Sequence, residues 1–377
     1  MTFLAPFSID VSLPGLPSIA RAVGAPPGML QWTLSAYVLA SGAGQLVWGP
    51  LSDRFGRRPI VLAGLALFAL SAFACSIAHD AGTLIALRFV QGLGSSAGSV
   101  CAFAIVTDLA LPAAEATRRQ AVISSISNVG PLAAPVVGVW ILAALGWRAL
   151  YAIPALVGAL VLVAVVVLVP ETAPKTAATT LERYRRVFAL PRTLGLAAMV
   201  FAFFAGYFAM ISGSSFALVA QLGIGTPLFA AAFATEAASA LLGSFVASRL
   251  ARRVDAERLL RAALALAVVA AACNALAGIG FPAAWSFVAS MSLYAFAFGV
   301  ALPSAFALAL ADAEPDAGVA SGVLGAAISL GGAAGSALSG ALPFAPTFAI
   351  GCVVVLAAAA AVACYRRSIP VASTLKR

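Results

Sequence analysis

GPLSDRFGRRPIVLAG, residues 49–64, places one aspartate and three arginines within residues 53–58, in a chain where only 9% of residues are charged. Long apolar stretches flank it on both sides. Gly49 and Gly56 permit close backbone approach and a tight reversal. Pro59 suits the first turn of a following helix, where its missing N–H costs nothing. The arginines hold such a turn at an aqueous face. A carboxylate among them, Asp53, is placed to form charge-assisted hydrogen bonds or to face the positive end of a nearby helix. The stretch therefore reads as a charged turn between two membrane-spanning helices.

The rest of the chain agrees. Of its 377 residues 63% are hydrophobic, and the mean hydropathy is +1.05; soluble domains hold about 45–50% apolar residues. A span needs about 20 largely apolar residues, and twelve such runs follow one another. They are too long and too rich in Ala and Leu to alternate with the period of two that a membrane barrel requires. The expected fold class is an all-α polytopic membrane protein, with twelve transmembrane helices in two six-helix pseudo-symmetric bundles. The expected division is 1–169 for the first bundle, 170–192 for a linker, 193–366 for the second bundle and 367–377 for a tail.

The net charge of +9 is topological. All of the 22 Lys and Arg except Arg21, Arg88 and Arg148 fall at the even-to-odd helix junctions, the linker or the tail. This is the positive-inside pattern, which puts both termini in the cytoplasm and argues against a nucleic-acid partner. The expected partners are the lipid bilayer, protons and a small-molecule substrate, with the chain acting as a monomer. Cys75, Cys101, Cys273, Cys352 and Cys364 are scattered singly, with no metal spacing. No metal and no cofactor are expected, the proton gradient serving as the energy source.

The first span is short. Met1 to Pro17 covers about 25 Å as an ideal helix, contains Pro6 and Asp10, and has no basic flank, so it is not a signal peptide. The first helix is expected to be truncated, with a native start about 10 to 20 residues upstream. The linker contains Arg183, Tyr184, Arg185, Arg186, Val187 and Phe188. It reads either as a solvated connector or as a short helix lying on the anionic inner leaflet. An internal repeat supports the two halves: SDRFGRRP at residues 52–59 has a counterpart ASRLARRV at residues 247–254, with Ser248 in place of Asp53. Repeated halves are the architecture of many secondary transporters. With Asp53 only in the first copy, a conformational lock is expected only there.

The turn resembles the signature loop of the major facilitator superfamily, G-x-L-x-D-R-x-G-R-R, through Gly49, Leu51, Asp53, Arg54, Gly56, Arg57 and Arg58. The resemblance implies a cytoplasmic gate that closes in the outward-open state, with Asp53 facing the start of the eleventh span near Gly318. Asp108, at the inner end of the fourth span, is the implied acidic partner. LRFVQGLGSSAG at residues 87–98 is similar to the family's fourth-span pattern R-x-x-Q-G-x-G, through Arg88, Gln91, Gly92 and Gly94. An arginine inside a span is costly and faces a polar cavity, a partner, or the interface by snorkelling. PFSIDVSLPGLP at residues 6–17 resembles the first-span motif of the Bcr/CflA-type drug exporters, which makes Asp10 the candidate proton or substrate site, facing Arg88. NVGPLAAPVVGVW at residues 128–140 is similar to the antiporter motif G-P-x-x-G-G, with Ala134 and Val139 as departures. Gly130, Pro131, Pro135 and Gly138 are expected to kink that helix.

Glu236 carries no family label. It lies well inside the eighth span among apolar neighbours, without a local partner, and is expected to be protonated or to line the central cavity as proton carrier or cation selector. Phe201, Phe203, Phe204, Tyr207 and Phe208 are candidates to line a substrate cavity from the seventh span. Gly331, Gly335 and Ser339 form a small-residue packing face in the eleventh. Asp312 and Asp316 read as part of an inner loop.

These features together imply a proton-coupled exporter of small amphipathic drugs, working by alternating access in a bacterial inner membrane. A specific metabolite exporter or uptake symporter of the same fold is the alternative. An integral membrane enzyme is a distant one, lacking clustered catalytic groups. A primary pump is excluded for this chain alone because it contains no G-x-x-x-x-G-K-[ST].

Overall fold

The computed structural model describes residues 1–108, 133–171, 180–251, 253–279, 283–314 and 316–368. Among them there is no strand. The helices are α1 (Leu4–Asp10), α2 (Leu16–Ala22), α3 (Pro27–Phe55), α4 (Arg57–Ser76), α5 (Ala81–Asp108), α6 (Ala133–Leu145), α7 (Ala149–Leu168) and α8 (Thr180–Phe188). After the linker come α9 (Pro191–Ser215), α10 (Thr226–Leu250), α11 (Ala256–Ile279), α12 (Ala284–Asp312), α13 (Ala317–Ala341) and α14 (Pro346–Ser368). Backbone groups in hydrocarbon must be paired within the segment, so apolar runs of this length leave little choice but helix.

Nine helices among the described residues are long and apolar enough to cross a membrane: α4, α5, α7 and α9 to α14. The three other expected spans differ for readable reasons. The first is broken into α1, a short 3-10 turn at Leu13–Gly15, and α2. Its Asp10, Ser12 and Pro14 interrupt the ladder, and the Ser12 hydroxyl donates to the Ile9 carbonyl at 2.8 Å. The second, α3, has 29 residues, but Gln31, Thr33, Ser35, Gln45 and Arg54 dilute its apolar character. The fifth is described only from Ala133, as the shorter apolar helix α6.

Ends follow local chemistry. Pro occupies the first turn of α3 and α9, as its fixed φ favours. Asp80 accepts the backbone N–H of Thr83 at 2.8 Å and caps α5, a bond that holds its carboxyl below the usual range. Gly56 and Gly146, at φ 103° and 78°, provide the left-handed turns between α3 and α4 and between α6 and α7. Pro50, Pro154 and Pro303 lie inside helices, which neighbouring helices make tolerable in a membrane.

The chain forms two compact units, Met1–Ala178 with Gly225–Ala234, and Thr179–Ile224 with Thr235–Arg377. Part of one packing scheme recurs: α4 packs on α5 and α7 in the first unit, and its counterpart α11 on α12 and α14 in the second, while α5 also packs on α3, and α9 on α13 and α14. Close approach is made by small residues, as expected where lipid removes the hydrophobic drive between helices. A Cβ on Gly92 would collide with the Tyr37 carbonyl, and one on Gly299 with that of Ala240. On α13, Gly331 and Gly335 stand against the carbonyls of Phe201 and Ala205 in the same way, and Ser339 is buried.

Instead of a free connector, the linker residues 180–188 form α8, docked within the second unit. Asp316, just before α13, accepts from Arg183 Nε at 2.9 Å and from Arg186 Nε at 2.7 Å. Val187 is fully buried while Phe188 is 54% exposed, its ring stacked with that of Tyr184. Thr193 donates to Asp312 at 2.8 Å, and Arg192 pairs with Glu257 at 2.5 Å. The expectation that the acids near Pro315 merely form a loop is therefore corrected: Asp316 is the anchor of the linker helix, and Asp312 ties α12 to the start of α9.

The two arginines hold the Asp316 carboxyl at about 2, below the ordinary 3.8. A depressed acid contributes stability that is complete above its unfolded value and is lost as pH falls through the folded one. Docking of α8 should thus be unchanged from pH 8 to pH 5, to within about 10% in a nitroxide mobility measurement at Arg185→Cys. Asp316→Asn should free the label at every pH in that range. A label equally immobile in the Asn variant would rule out Asp316 as the anchor.

Candidate functional site

The charged turn is built around a single residue. α3 runs on through Pro50 to Phe55, so Gly49 is a mid-helix residue, and nothing lies where its Cβ would be. The close approach expected of it is absent. The reversal is made at Gly56, and α4 starts at once with Arg57. Its first N–H groups lack helical partners and are met by Glu171, whose two carboxylate oxygens accept from Arg57 N at 2.8 Å and Arg58 N at 3.2 Å. A negative group at the positive end of a helix is stabilising. A Cβ on Gly56 would sit 2.5 Å from Glu171 Oε2.

The side chains tie the turn to its surroundings. Arg57 donates to Asp108 at 2.8 Å and to Ser52 at 2.5 Å, with both members of the ion pair under 10% exposed. Arg58 donates to the Val166 carbonyl near the end of α7 at 2.7 Å. Arg54 is exposed and lies over the ring of Phe55. The side chain of Asp53 lies outside the described residues. Glu171 was not singled out from sequence. The signal was present, an acid among the first polar residues after the sixth apolar run, but its target is more than a hundred positions away.

A second cluster lies inside the first unit. Arg88 is fully buried. Its Nη1 donates to Gln91 Oε1 at 2.8 Å and to Ser8 Oγ at 3.2 Å, and Gln91 Nε2 donates to Ser8 Oγ at 3.0 Å. The guanidinium stands 4.3 Å from the ring centre of Tyr37 and 5.8 Å from that of Tyr151, which favours a buried cation. Its Nε and Nη2 and the Tyr151 hydroxyl are buried without hydrogen-bond partners. Arg88 does not snorkel to an interface. Asp10, buried at 6% exposure, ends α1 two residues beyond Ser8. The helix break falls where Gly138 of α6 meets the Val11 carbonyl, in a space a Cβ would fill. Pro135 is buried beside it in sequence; Gly130 and Pro131 lie outside the described residues.

The third cluster belongs to the second unit. Glu236 of α10 is 1% exposed, and the Tyr207 hydroxyl of α9 donates to its carboxylate. The expectation that it lacks a nearby partner holds along its own helix and fails in space, because the partner comes from the preceding span. Phe203, Tyr207 and Phe208 are buried, Phe204 is half-buried, and all join an aromatic cluster with Phe298. Phe201 is 37% exposed. Ser248, the counterpart of Asp53, bonds only to the Phe245 carbonyl of its own helix among the described contacts.

Helical units of repeated architecture with buried polar clusters and a charged turn define a polytopic membrane carrier. The chain belongs to the Major Facilitator Superfamily, whose family model matches residues 1–336; its members are transporters and not enzymes. It is 29% identical to a bicyclomycin resistance protein homolog of Haemophilus influenzae, over 86% of this chain and 83% of the relative. It is 30% identical to YdgK, an uncharacterized MFS-type transporter of Bacillus subtilis, over the same shares. A crystal structure of a bacterial homolog of the lysosomal transporter Spinster superposes with a TM-score of 0.75 at 19% identity, covering 97% of this chain and 94% of that one. A D-xylose–proton symporter superposes at 0.74 and 18% identity, covering 95% and 94%. These two show the fold.

The turn's contacts rank its variants. Asp108→Asn removes the charge partner of a buried guanidinium and should cost about 3 kcal/mol, whereas Glu171→Ala removes a helix cap worth about 1 kcal/mol. Thermal unfolding of the purified protein in detergent should therefore place Asp108→Asn below Glu171→Ala, and the reverse order would refute this account of the turn.

Proposed function

We propose that the protein is a proton-coupled exporter of small amphipathic drugs, working by alternating access in a bacterial inner membrane with both termini in the cytoplasm. The observation that carries this reading is the Arg88 cluster. A fully buried guanidinium keeps two of its donors unpaired and bonds Ser8, two residues before the buried Asp10 that ends α1. Names of relatives point the same way: besides the bicyclomycin resistance homolog, they include multidrug resistance proteins and a chloramphenicol resistance protein of Pseudomonas aeruginosa.

The chemistry follows from charge. Inside a span an acid is stable when protonated or paired, and a nearby cation lowers its proton affinity. Asp10 therefore alternates between a protonated form and a form paired with Arg88, and Glu236 provides a second exchangeable site. Proton entry down the gradient contributes about 2.3 kcal/mol per charge per 100 mV, plus the pH term. Gly49, Asp53, Arg54, Gly56, Arg57, Arg58 and Asp108 form the cytoplasmic gate in this reading, with Glu171 added as the cap that holds α4 in register. The chain works as a monomer, with the proton gradient as its energy source and no cofactor.

A susceptibility panel in a pump-deficient host tests this. The wild-type chain should raise resistance to several chemically unrelated compounds, and Asp10→Asn should abolish the effect while expression persists. Arg88→Lys keeps the charge but loses the planar fork and ring stacking, and should lower transport about tenfold. Resistance to nothing, with accumulation of a single metabolite outside the cell, would overturn the reading in favour of a specific porter.

A further inference from the structure

The ends of α9, α11 and α14 that meet in the second unit are rich in arginine and poor in partners. α14 packs on both α9 and α11, and a Cβ on Gly195 of α9 would sit 2.5 Å from that of Ser368, the last residue of α14. Arg192 lies in the first turn of α9, Glu257 and Arg261 in the first two turns of α11, and Tyr365, Arg366 and Arg367 in the last turn of α14. Arg192, Glu257 and Arg261 are all within electrostatic range of Tyr365. Four arginines thus stand against one acid, and that acid is taken: Glu257 pairs with Arg192 at 2.5 Å. Arg261, Arg366 and Arg367 are exposed and make no hydrogen bond or ion pair among the described residues.

The faces they occupy are lipid faces. On α11, Arg261 shares one side with Ala265, Val268 and Val269, all exposed, because residues three to four and seven to eight apart line up on a helix. On α14, Arg366 and Arg367 continue the exposed stripe of Leu356, Ala359, Ala360 and Ala363. Both helices are long and apolar enough to cross a membrane, so each stripe of aliphatic side chains ends in guanidinium groups. Arg261 stands about 7.5 Å inside the start of α11, where a charge must snorkel to water or meet a headgroup. In the same turn as Arg366, the Tyr365 hydroxyl is buried without a hydrogen-bond partner, on a residue only 5% exposed. A buried hydroxyl left in that state is costly unless something accepts from it.

We infer that the α11–α14 junction at these ends binds the phosphate of an anionic phospholipid of the phosphatidylglycerol type. Arg261 and Arg366 hold phosphate oxygens from the two helices, the Tyr365 hydroxyl donates to a third, and the acyl chains run along the two aliphatic stripes. A soluble phosphate would gain the same donors but not the stripes, which favours the lipid. A zwitterionic lipid would bring its own ammonium into a basic cluster and is disfavoured. The site uses none of the residues assigned to the gate or to proton coupling, and it stands whatever the protein carries.

The test is native mass spectrometry of the purified full chain, released from detergent with equal amounts of phosphatidylglycerol and phosphatidylcholine of identical acyl chains. Wild-type protein should retain phosphatidylglycerol at least about fivefold over phosphatidylcholine, and Arg261→Gln should lower that retention about fivefold, the factor of one basic residue near an anionic surface. Tyr365→Phe, which removes only the hydroxyl, should lower it about threefold. Arg261→Lys keeps the charge and should stay within about twofold of the wild type, which separates loss of the site from loss of the fold. Arg258→Gln is the control, since Arg258 is already matched by Asp255 at 3.7 Å, and it should leave retention unchanged. An excess of inorganic phosphate should leave the bound lipid in place. Equal retention of the two lipids by the wild type, no loss in Arg261→Gln, equal losses in Arg258→Gln and Arg261→Gln, or displacement by inorganic phosphate would each overturn the inference.

Discussion

A charge inside hydrocarbon must be held, and this requirement organises the molecule. With 9% of its residues charged, the chain keeps nearly all of them at helix ends, where water and opposite charges are available. The few that lie deeper are each placed in a dedicated setting. Arg88 stands between two tyrosine rings and two polar side chains, and Glu236 is met by a phenol. Because lipid offers no alternative partners, any helix that carries such a residue is fixed in rotation and depth by it. Small residues then allow the neighbouring helices to approach closely enough to supply those partners.

The two units share part of a packing scheme but not an electrostatic one. The first contains a permanent buried cation, the second an acid that can be neutralised. The helix ends differ as well. In the first unit the turn between α3 and α4 supplies the bases, and α5 and the residues after α7 supply the acids. In the second unit the acids lie on α11, on α12 and before α13, and the bases come from the linker helix and the start of α9. Tertiary structure shows that the second unit ties its ends together with different residues in different places.

Much of this was legible beforehand. Apolar runs of span length, the arginines at alternate junctions and the residues 49–58 were enough to establish a helical membrane protein with a charged turn, since hydropathy and the positive-inside bias act locally along the chain. An acidic partner for the turn at Asp108 was expected from resemblance, and Arg57 is the residue that meets it. Gly49 shows the limit of such reading. The motif suggested a close contact there, and the helix simply continues past it. Glu171, Ser8 and Tyr207 were missed or undervalued because each acts on a residue far away in sequence, and no periodicity links them to it.

What the sequence alone determined is therefore composition-driven: that the chain crosses a membrane as helices, which ends are basic, and which residues are too polar to lie in lipid without a purpose. What only the tertiary structure decided is the partner of each of those residues. Glu171 caps α4, Asp316 anchors α8, Arg88 rests on Ser8, Gln91 and Tyr37, and Glu236 meets Tyr207. The physical reason is range. Insertion into a membrane is a sum over about 20 neighbouring residues, whereas a hydrogen bond or an ion pair is made within about 3 Å by side chains whose separation in sequence places no limit on their separation in space.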